Sequence, residues 1–430
     1  MSDFYSMLVA AEKRPHDDRE RVQLQALPPQ IKHAQQKSAA FAEILGGVDA
    51  TTVTSRIALA RLPVTRKTEL LDRQKAAREV SNSNGGGIGT AVFGGFSSIG
   101  FGANMLRVFA SPGTIYEPEG KQLDYWRSAR ALAAAGFKAG ELIHNCFSYH
   151  FTPAGAMMES GAHALGCTVF PAGTGQTEQQ VQAMAELKPA GYVGTPSFLK
   201  IILEKAAEMG VALPSVTKAL VSGEACPPSL RDWFAERGVT AYQCYATADL
   251  GLIAYETSAR EGLVIDEGVI VEIVTPGTGD PVAEGEVGEL VVTTFNTDYP
   301  LIRFGTGDLS AVLPGNCPTG RTNTRIKGWM GRADQTTKIR GMFVHPSQVA
   351  TIAKRFPDVV KARLVVSGEM ADDRMTLQVE TATHTEAEDL LEKISEAIRD
   401  VTKLRGTVAF FAPGSLPNDG RVIEDARSYK

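Results

Sequence analysis

The chain of 430 residues is longer than one typical domain, so one large domain and one smaller domain are expected. Its composition, 43% hydrophobic and 22% charged, is that of a globular protein, and no apolar run approaches the ~20 residues of a membrane helix. A net charge of -5 without a dense Lys/Arg block excludes the electrostatic footprint of a nucleic-acid-binding protein, so we predict a small-molecule partner and neither nucleic acid nor membrane.

The opening segment, MSDFYSMLVAAEKRPHDDRERVQLQ, carries charges on both sides of a short apolar patch and has no small-residue cleavage site. It does not resemble a secretory signal, so a cytoplasmic location is expected. The chain has five cysteines, an odd number, without a Cys-x-x-Cys pair. We predict free, mainly buried thiols rather than a disulfide framework or a four-ligand zinc site.

The N-terminal third begins with polar, Ala/Gln-rich helices in residues 19–46. In LARLPVTRKTELLDRQ, an extended Leu-Pro stretch precedes a helix for which Thr65, ahead of Glu69, indicates a capped start. The following SNSNGGGIGTAVFGG lacks the third glycine of G-x-G-x-x-G, because Thr90 stands there, and no G-K-[ST] follows. We predict a flexible loop near a site entrance, not a phosphate-binding motif.

Helix and strand patterns alternate from about residue 125 onward. Helices are predicted at YWRSARALAAAGF, AMMESGAHALG, TEQQVQAMAELK and PSFLKIILEKAAEMG, and strands at ELIHNCF, CTVFPAG, GYVGT and KALVSGEA. Such alternation builds a largely parallel sheet with helices on both faces. Ligands bind at the carboxyl ends of such strands, which here carry PAGTGQT, GTPS and SGEAC.

Past residue 260 the pattern changes to β hairpins, LVIDEGVIVEIV and GELVVTTF, with Gly/Pro/Asp turns between them. A second break lies near GRADQTTKIRG. Beyond it, two strands, VVKARLVVSG and MTLQVET, an amphipathic helix around Leu390 to Val401 and a strand TVAFFAPG indicate a compact α+β unit. The predicted domains are 1–333 and 334–430.

Several segments, in this order, resemble motifs of the acyl-adenylate-forming (ANL) ligases, and specifically of their phenylacetate-CoA ligase branch. They are LPVTRKTEL, GCTVFPAGTGQTEQQVQ, VGTPSFL, SGEACPPSLRDWF, YATADLG, IRFGTGDL and GRADQTTKIRGMFVHPSQV. The resemblance covers nearly the whole chain. It implies an α/β fold, with a large multi-sheet adenylate-forming N-terminal domain and a smaller, mobile α+β C-terminal cap domain that turns about Asp334.

The resemblance also implies a nucleotide site. Tyr245 would lie against adenine, Asp308 would accept the ribose hydroxyls, and Arg332 would hold ribose and phosphate. The alternatives are a core tyrosine for the first residue and surface ion pairs for the other two. Asp249 replaces the glutamate that binds Mg²⁺, on a stem one methylene shorter. Gly223 and Glu224 would frame the adenine through their backbone, or form a plain strand-ending turn.

The acid pocket is expected in HNCFSYHFTPAG, where the family has an aromatic segment. Phe147, Tyr149, His150 and Phe151 would hold an apolar, aryl acid. His144 is expected to be a core histidine instead. His345 lies where the family exposes a loop toward the thioester-forming site, and it is a weaker candidate.

The phosphate loop departs from the family pattern Ser-Ser-Gly-Thr-Thr-Gly-Lys-Pro. Its counterpart is ASPGTIYEP, so the phosphate-binding residues would be Ser111, Gly113 and Thr114. Pro112 removes an amide donor, while Tyr116 and Glu117 replace a glycine and a cation. An anion beside triphosphate is unfavourable, so adenylation is expected to be slower.

Two catalytic positions depart as well. Ala248 replaces a Ser/Thr that touches the α phosphate, unless Thr247 substitutes, and Arg421 replaces the C-terminal lysine. Arginine keeps the charge but not the compact ammonium, and Lys430 lies too far along to replace it. Cys317 stands alone where many relatives have a Cys/His cluster, so we predict no zinc.

The resemblance implies an AMP-forming acyl-CoA ligase that uses ATP, Mg²⁺ and CoA on a carboxylic acid, with a homodimer as the candidate assembly. The alternative is a catalytically weakened member that binds nucleotide or acyl-adenylate as a binding or partner protein. A third, less favoured possibility is that the altered loop selects another nucleotide or leaving group.

Overall fold

The computed structural model describes the chain except residues 1, 85–88, 112–113, 334, 336, 341, 345, 369–372, 382–387, 418–421 and 428–430. The chain divides into two compact units, Met1–Met330 and Gly331–Lys430. The predicted hinge, Asp334, is outside the described residues, so the functional boundary at residues 333 and 334 stays a prediction. No helix in the described part of the chain is long and apolar enough to cross a membrane.

The first unit combines α-helices with three sheets. Its helices are α1 Ser2–Lys13, α2 His16–Lys37, α3 Ala39–Ile44, α4 Arg56–Ala60, α5 Lys67–Asn84, α6 Ala129–Ala134, α7 Ala154–Leu165, α8 Thr177–Leu187, α9 Pro196–Glu208 and α10 Pro228–Ala235. Its strands are β1 Thr65–Arg66, β2 Met105–Ser111, β3 Ile115–Gly120, β4 Leu142–Asn145, β5 Thr168–Phe170, β6 Gly191–Gly194, β7 Lys218–Val221, β8 Thr240–Thr247, β9 Gly251–Glu256, β10 Leu263–Ile265, β11 Val269–Val274, β12 Gly288–Thr294, β13 Phe304–Ser310, β14 Val312–Leu313 and β15 Arg325–Ile326.

The largest sheet has the strand order β14-β15-β10-β9-β8-β7-β6-β4-β5. Its strands β5, β4, β6, β7 and β8 are parallel, which confirms the predicted alternation of helices and strands. The crossover helices have local start and stop signals: the Thr195 side chain accepts a hydrogen bond from the Phe198 N–H at the start of α9, and Gly166 ends α7 at φ 85°. The neighbouring carboxyl ends of β7 and β8 carry residues of the predicted nucleotide site.

A second sheet, of order β1-β13-β12-β11, packs through its apolar side chains with residues of α2, including Leu27 and Ile31. The third sheet of the first unit is the β2–β3 hairpin. The buried guanidinium of Arg303 donates to the Glu272 carboxylate at 3.0 Å and to backbone carbonyls of the segment before β1. These bonds give the buried guanidinium of Arg303 its partners. Without them, removing this charge from water would cost a large free energy.

Two local predictions in the first unit are wrong, one of them in part. The antiparallel pairing of VIVEIV with GELVVTT is confirmed by β11 and β12, but the LVI part of the first segment is not in that hairpin, because β10 pairs with β9 and β15 in another sheet. Thr65 does not cap the following helix, because it lies in β1 and its buried hydroxyl has no hydrogen-bond partner among the described atoms. The apolar pattern of a short strand does not specify its pairing partner in a sheet.

The second unit is α+β, as expected from its sequence pattern. Its elements are α11 Pro346–Lys354, α12 Glu388–Thr402, β16 Thr337–Ile339, β17 Met342–Val344, β18 Val359–Ser367, β19 Arg374–Thr381, β20 Thr407–Phe411 and β21 Ile423–Asp425. A four-stranded sheet, β20-β19-β18-β21, lies beside a β16–β17 hairpin. Ile394 and Ile398 of α12 pack with Leu364 and Leu377 of this sheet in one core. The predicted strands and amphipathic helix are thus confirmed.

Candidate active site

The aromatic ring and the carboxylate of the predicted nucleotide site are in contact. The Tyr245 hydroxyl, on β8, donates a hydrogen bond of 2.6 Å to Asp308 Oδ2, on β13. The indole Nε1 of Trp329 donates to the other oxygen, Oδ1, at 3.0 Å. Asp308 is buried, and each of its carboxylate oxygens accepts one of these two bonds. Sequence reasoning missed Trp329, although it stands just before the recognised GRAD motif.

Local backbone bonds hold Asp308 in place. The Thr306 hydroxyl donates to the Leu290 carbonyl at 3.0 Å and accepts from the Asp308 N–H at 3.1 Å. Gly307 between them has φ 72°, a conformation that a side chain disfavours. The Thr-Gly-Asp order therefore has a physical basis: the hydroxyl ties the strand, and the glycine allows the bend that presents the carboxylate.

Asp249 lies in the turn between β8 and β9. The Thr247 hydroxyl accepts from the Leu250 N–H at 3.1 Å and so closes this turn. The Asp249 side chain is 2% exposed, and its Oδ2 accepts from the ammonium of Lys67 at 2.8 Å. Its Oδ1 is buried without a hydrogen-bond partner among the described atoms. An orphaned carboxylate oxygen of this kind fits a hard cation such as Mg²⁺.

Glu117, on β3, extends the same cluster. The Ser111 hydroxyl donates to Glu117 Oε1 at 2.7 Å, and the Lys67 ammonium lies 3.9 Å from that oxygen. Burial, and next the charge of Asp249, raise the pKa of the Glu117 carboxyl well above its usual range, against the lowering effects of Lys67 and Ser111. Sequence reasoning noted Glu117 as an anion but did not place it beside Asp249, and it gave no role to Lys67.

The counterpart of the phosphate loop is the turn of the β2–β3 hairpin. Ser111 ends β2, and exposed Thr114 has φ 61°. The Gln74 side chain of α5 bonds both the N–H and the carbonyl of Tyr116, at 2.8 and 2.9 Å. The hairpin is therefore anchored to α5 just beyond Lys67. Gly113, predicted to bind phosphate, is outside the described residues, as is Pro112.

The loop after β7 holds the predicted adenine-framing residues. Gly223 and Glu224 are exposed, and Gly223 has φ 82°. The hydroxyl of Ser222 donates to the Cys244 carbonyl at 2.7 Å, which ties this loop to β8 next to Tyr245. The Glu224 carboxylate accepts from the Ser197 N–H at 3.4 Å. The loop thus lies beside the strand that carries the aromatic ring.

The four predicted acid-pocket residues do not face one space. Phe147 is buried in the core, whereas His150 is exposed and Phe151 is 81% exposed. The Tyr149 hydroxyl donates to the Glu159 carboxylate and accepts from the Asn145 amide, each at 2.8 Å. Their proximity in sequence therefore does not make a pocket, and the substrate assignments stay predictions.

His144 is a buried core histidine, as expected. Its ring stacks on Phe170 with centroids 5.2 Å apart, and its Nε2 is hydrogen-bonded to the Gln180 side chain. Burial lowers the pKa of this imidazole, so the neutral ring is favoured. It belongs to the packing of the parallel sheet.

The remaining predicted positions lie in or near the second unit. Arg332 is half-buried there, whereas Asp334, His345 and Arg421 are outside the described residues. Their assigned roles stay predictions. The five cysteines are free and buried, which confirms the expected thiols. No group of three or more His, Cys, Asp or Glu side chains able to hold a metal occurs among the residues that the structure describes.

Comparisons with known proteins agree with this geometry. A family described as "AMP-binding enzyme" matches residues 125–297, and one described as "AMP-binding enzyme C-terminal domain" matches residues 341–425. The phenylacetate-coenzyme A ligase of Thermus thermophilus is 31% identical, over 86% of this chain and 87% of its own length. The phenylacetate-coenzyme A ligase of Escherichia coli is 30% identical, over 73% of this chain and 76% of its own.

A solved structure of 2-hydroxyisobutyryl-CoA ligase has the same fold. It superposes with a TM-score of 0.79 and covers 97% of this chain and 92% of its own, at 23% identity. An amide bond synthetase from Marinactinospora thermotolerans superposes with a TM-score of 0.52, over 73% of this chain and 66% of its own, at 17% identity. At these identities the superpositions establish the architecture alone.

Proposed function

Since the chain belongs to the phenylacetate-CoA ligase family of AMP-forming enzymes, we propose that it activates a carboxylic acid as an acyl-adenylate and transfers the acyl group to CoA. ATP, CoA and the acid are its substrates in this proposal. A cytoplasmic location and a homodimer, both expectations from the sequence, are part of it.

The Tyr245–Asp308 contact is the observation that carries the proposal. A rigid ring offers a large apolar face for a nucleobase, and an ionised carboxylate beside it accepts hydroxyl donors such as those of ribose. Two strands from different sheets bring these groups to 2.6 Å of each other, from positions far apart in the chain. A nucleoside is the ligand that uses both groups at once.

Asp249 supports the phosphate end of the proposal. Its orphaned oxygen would hold Mg²⁺, and a bound Mg²⁺ supplies positive charge that neutralises the phosphates. Three hydroxyls are proposed to contact the phosphates. They belong to Ser111 and Thr114, on the hairpin, and to Thr247, beside Asp249. Gly113, Arg332 and Arg421 complete the proposed phosphate-binding set, and Asp334 is its proposed hinge.

The proposed chemistry proceeds in two displacements. A carboxylate oxygen of the acid attacks the α phosphorus, and the bond to pyrophosphate breaks, which leaves acyl-AMP. The sulfur of CoA then attacks the acyl carbon, loses its proton, and displaces AMP. Protein groups mainly position the reactants and stabilise charge in such reactions, so the residues that hold the nucleotide set the rate.

We propose an aryl or arylacetic acid as the substrate. The support is the name of the relatives, which are phenylacetate-coenzyme A ligases. A panel of phenylacetate, benzoate, hexanoate and acetate would rank the acids. Release of pyrophosphate that is faster with hexanoate than with both aryl acids would contradict this assignment.

The decisive experiment measures acid-dependent pyrophosphate release and acyl-CoA formation by the native chain, beside Asp308→Ala and Arg421→Lys. We expect release from the native chain, a loss of nucleotide affinity of about tenfold or more in Asp308→Ala, and faster adenylation in Arg421→Lys. Unchanged nucleotide binding by Asp308→Ala would refute the ribose assignment. A native chain that binds nucleotide but releases no pyrophosphate with any acid would instead be a binding protein.

A further inference from the structure

The cluster around Asp249 brings two buried carboxyl groups to one ammonium. Asp249 and Glu117 are both 2% exposed, and the ammonium of Lys67 contacts them at 2.8 and 3.9 Å. Glu117 Oε2 and Asp249 Oδ1 are each buried without a hydrogen-bond partner among the described atoms. Each carboxyl group therefore has one buried oxygen that no described donor reaches.

Buried polar groups are normally satisfied. The orphaned oxygens of Glu117 and Asp249, whose carboxyl groups share the Lys67 ammonium, therefore indicate a missing ligand.

We propose that Glu117 and Asp249 together bind the divalent cation of the reaction, and that the Lys67 ammonium balances the pair until the cation binds. This inference rests on the proposed function, because it concerns the metal of the same site. It assigns a metal ligand to the position where the family pattern has the cation of its phosphate loop. A bound metal ion would then balance the phosphate charge, in place of the cationic side chain of the family's phosphate loop.

The chemistry of the pair suits Mg²⁺. This ion is held in proteins by one or two carboxylates, and substrate phosphate oxygens and waters complete its octahedron. The absence of a third metal-binding side chain from the described cluster agrees with such an open site. Lys67 is 39% exposed on a flexible stem, so its ammonium can swing toward solvent when a divalent ion takes its place.

The surrounding strands hold the two carboxylates in a fixed relation. Ser111 orients Glu117 from across the β2–β3 hairpin, and the turn closed by Thr247 orients Asp249. Neither acid therefore has to leave its position to accept a cation between them. A preformed pair of ligands reduces the cost of metal binding.

The test is a titration of the full chain with Mn²⁺ alone, followed by the loss of the free-ion electron paramagnetic resonance signal. We expect one saturable site, and affinity about tenfold weaker in Glu117→Gln and in Asp249→Asn. The matched control is Glu119→Gln, which removes a buried carboxylate two residues along the same strand that pairs with Arg107 at 3.0 Å. This control should bind Mn²⁺ like the parent.

A second arm uses Lys67→Gln, which removes the competing ammonium. We expect Mn²⁺ to bind about three- to tenfold more tightly to this variant. Thermal melts verify that each variant is folded. If Glu117→Gln does not fold, the Lys67→Gln and Glu119→Gln titrations still decide the question.

Three results would overturn the inference: no saturable Mn²⁺ binding by the parent, parent-like affinity in folded Glu117→Gln, or weaker binding in Lys67→Gln. Because Mn²⁺ binding is measured without acid, CoA or turnover, failure here is distinguishable from failure of the proposed ligase activity. Pyrophosphate release with normal Mn²⁺ affinity in Glu117→Gln would leave the ligase function intact and reject Glu117 as a ligand.

Discussion

Tyr245 shows how one residue can combine two roles. Its ring can support a base, and its hydroxyl fixes Asp308 through a hydrogen bond of 2.6 Å. The sequence pattern alone indicated the ring, because YATADLG resembles a known motif. Only the structure shows its contact with Asp308, the carboxylate proposed to bind ribose.

The two roles of Tyr245 can be separated by substitution. Tyr245→Phe keeps the ring and loses one hydrogen bond, so AMP affinity should fall about two- to fivefold. Tyr245→Ala also loses the stacking surface, worth ~1–3 kcal/mol, so affinity should fall about 5- to 160-fold. Calorimetric titration with AMP measures both. Tyr242→Ala, on the same strand but beside Arg260, is the control and should bind AMP normally. Normal AMP binding by Tyr245→Ala would reject the adenine assignment.

Asp124 gives the protein a predictable dependence on pH. Burial, opposed by a hydrogen bond from the Ala129 N–H and assisted by Asp266, raises the pKa of Asp124 to about 7. Since this pKa is above that of an unfolded aspartate, near 4, the protonated form favours folding. The stabilising contribution is complete below pH ~4 and is lost as pH rises through ~7.

Asp124→Asn mimics the neutral acid at every pH and keeps the acceptor for Ala129. We expect the variant to match the parent near pH 4 and to exceed its unfolding free energy by about 1–3 kcal/mol at pH 8. Urea denaturation at both pH values measures this. Asp49→Asn is the control of opposite sign, because hydrogen bonds from Thr51 lower the pKa of exposed Asp49. Equal effects of Asp124→Asn at pH 4 and pH 8 would contradict the account.

At the scale of elements, the β8–β9 turn carries the candidate metal ligand. Gly251 follows the turn at φ 73°, and a Cβ there would lie 2.9 Å from the Trp126 carbonyl oxygen. The same carbonyl accepts the Leu252 N–H at 3.0 Å, so the backbone cannot move away without losing that bond. The glycine is thus required both by conformation and by space.

Gly251→Ala should destabilise the protein by about 2–4 kcal/mol, because the left-handed conformation and the backbone clash both oppose the new methyl group. Gly277→Ala is the matched control: it has φ 91° but open space around it, so only the conformational cost of about 1 kcal/mol should appear. Chemical denaturation compares the two. Equal destabilisation would mean that the close approach of Trp126 contributes nothing.

At the scale of the whole molecule, each of the two units has its own hydrophobic core. The core of the second unit is built from residues of α11, α12 and its sheet. A separate core is the physical requirement for independent folding. The family resemblance led to the same two-domain expectation, with Asp334 as the predicted hinge.

A fragment of residues 331–430 should therefore fold alone and melt cooperatively. In it, Leu377→Ala should cost about 2–5 kcal/mol, because Leu377 is fully buried. Leu391→Ala is the control, since that side chain is 41% exposed and should cost little. Circular dichroism melts measure both variants. A fragment without a cooperative transition would show that its core depends on the first unit.

Periodicity and motif order in the sequence were sufficient for the parallel sheet of β4 to β8 and for the α+β second unit. These features depend on local patterns that one segment carries by itself. Such patterns also led to errors, as at β10, because an apolar strand does not specify its neighbour.

Only the tertiary structure placed the Lys67 ammonium against the buried carboxyl groups of Glu117 and Asp249, and Trp329 on Asp308. It also separated Phe147 from Phe151, which are neighbours in sequence. These relations join side chains from different elements, or divide those of one short segment between core and surface. They depend on how the helices and sheets pack, and the spacing of residues along the chain does not specify that packing.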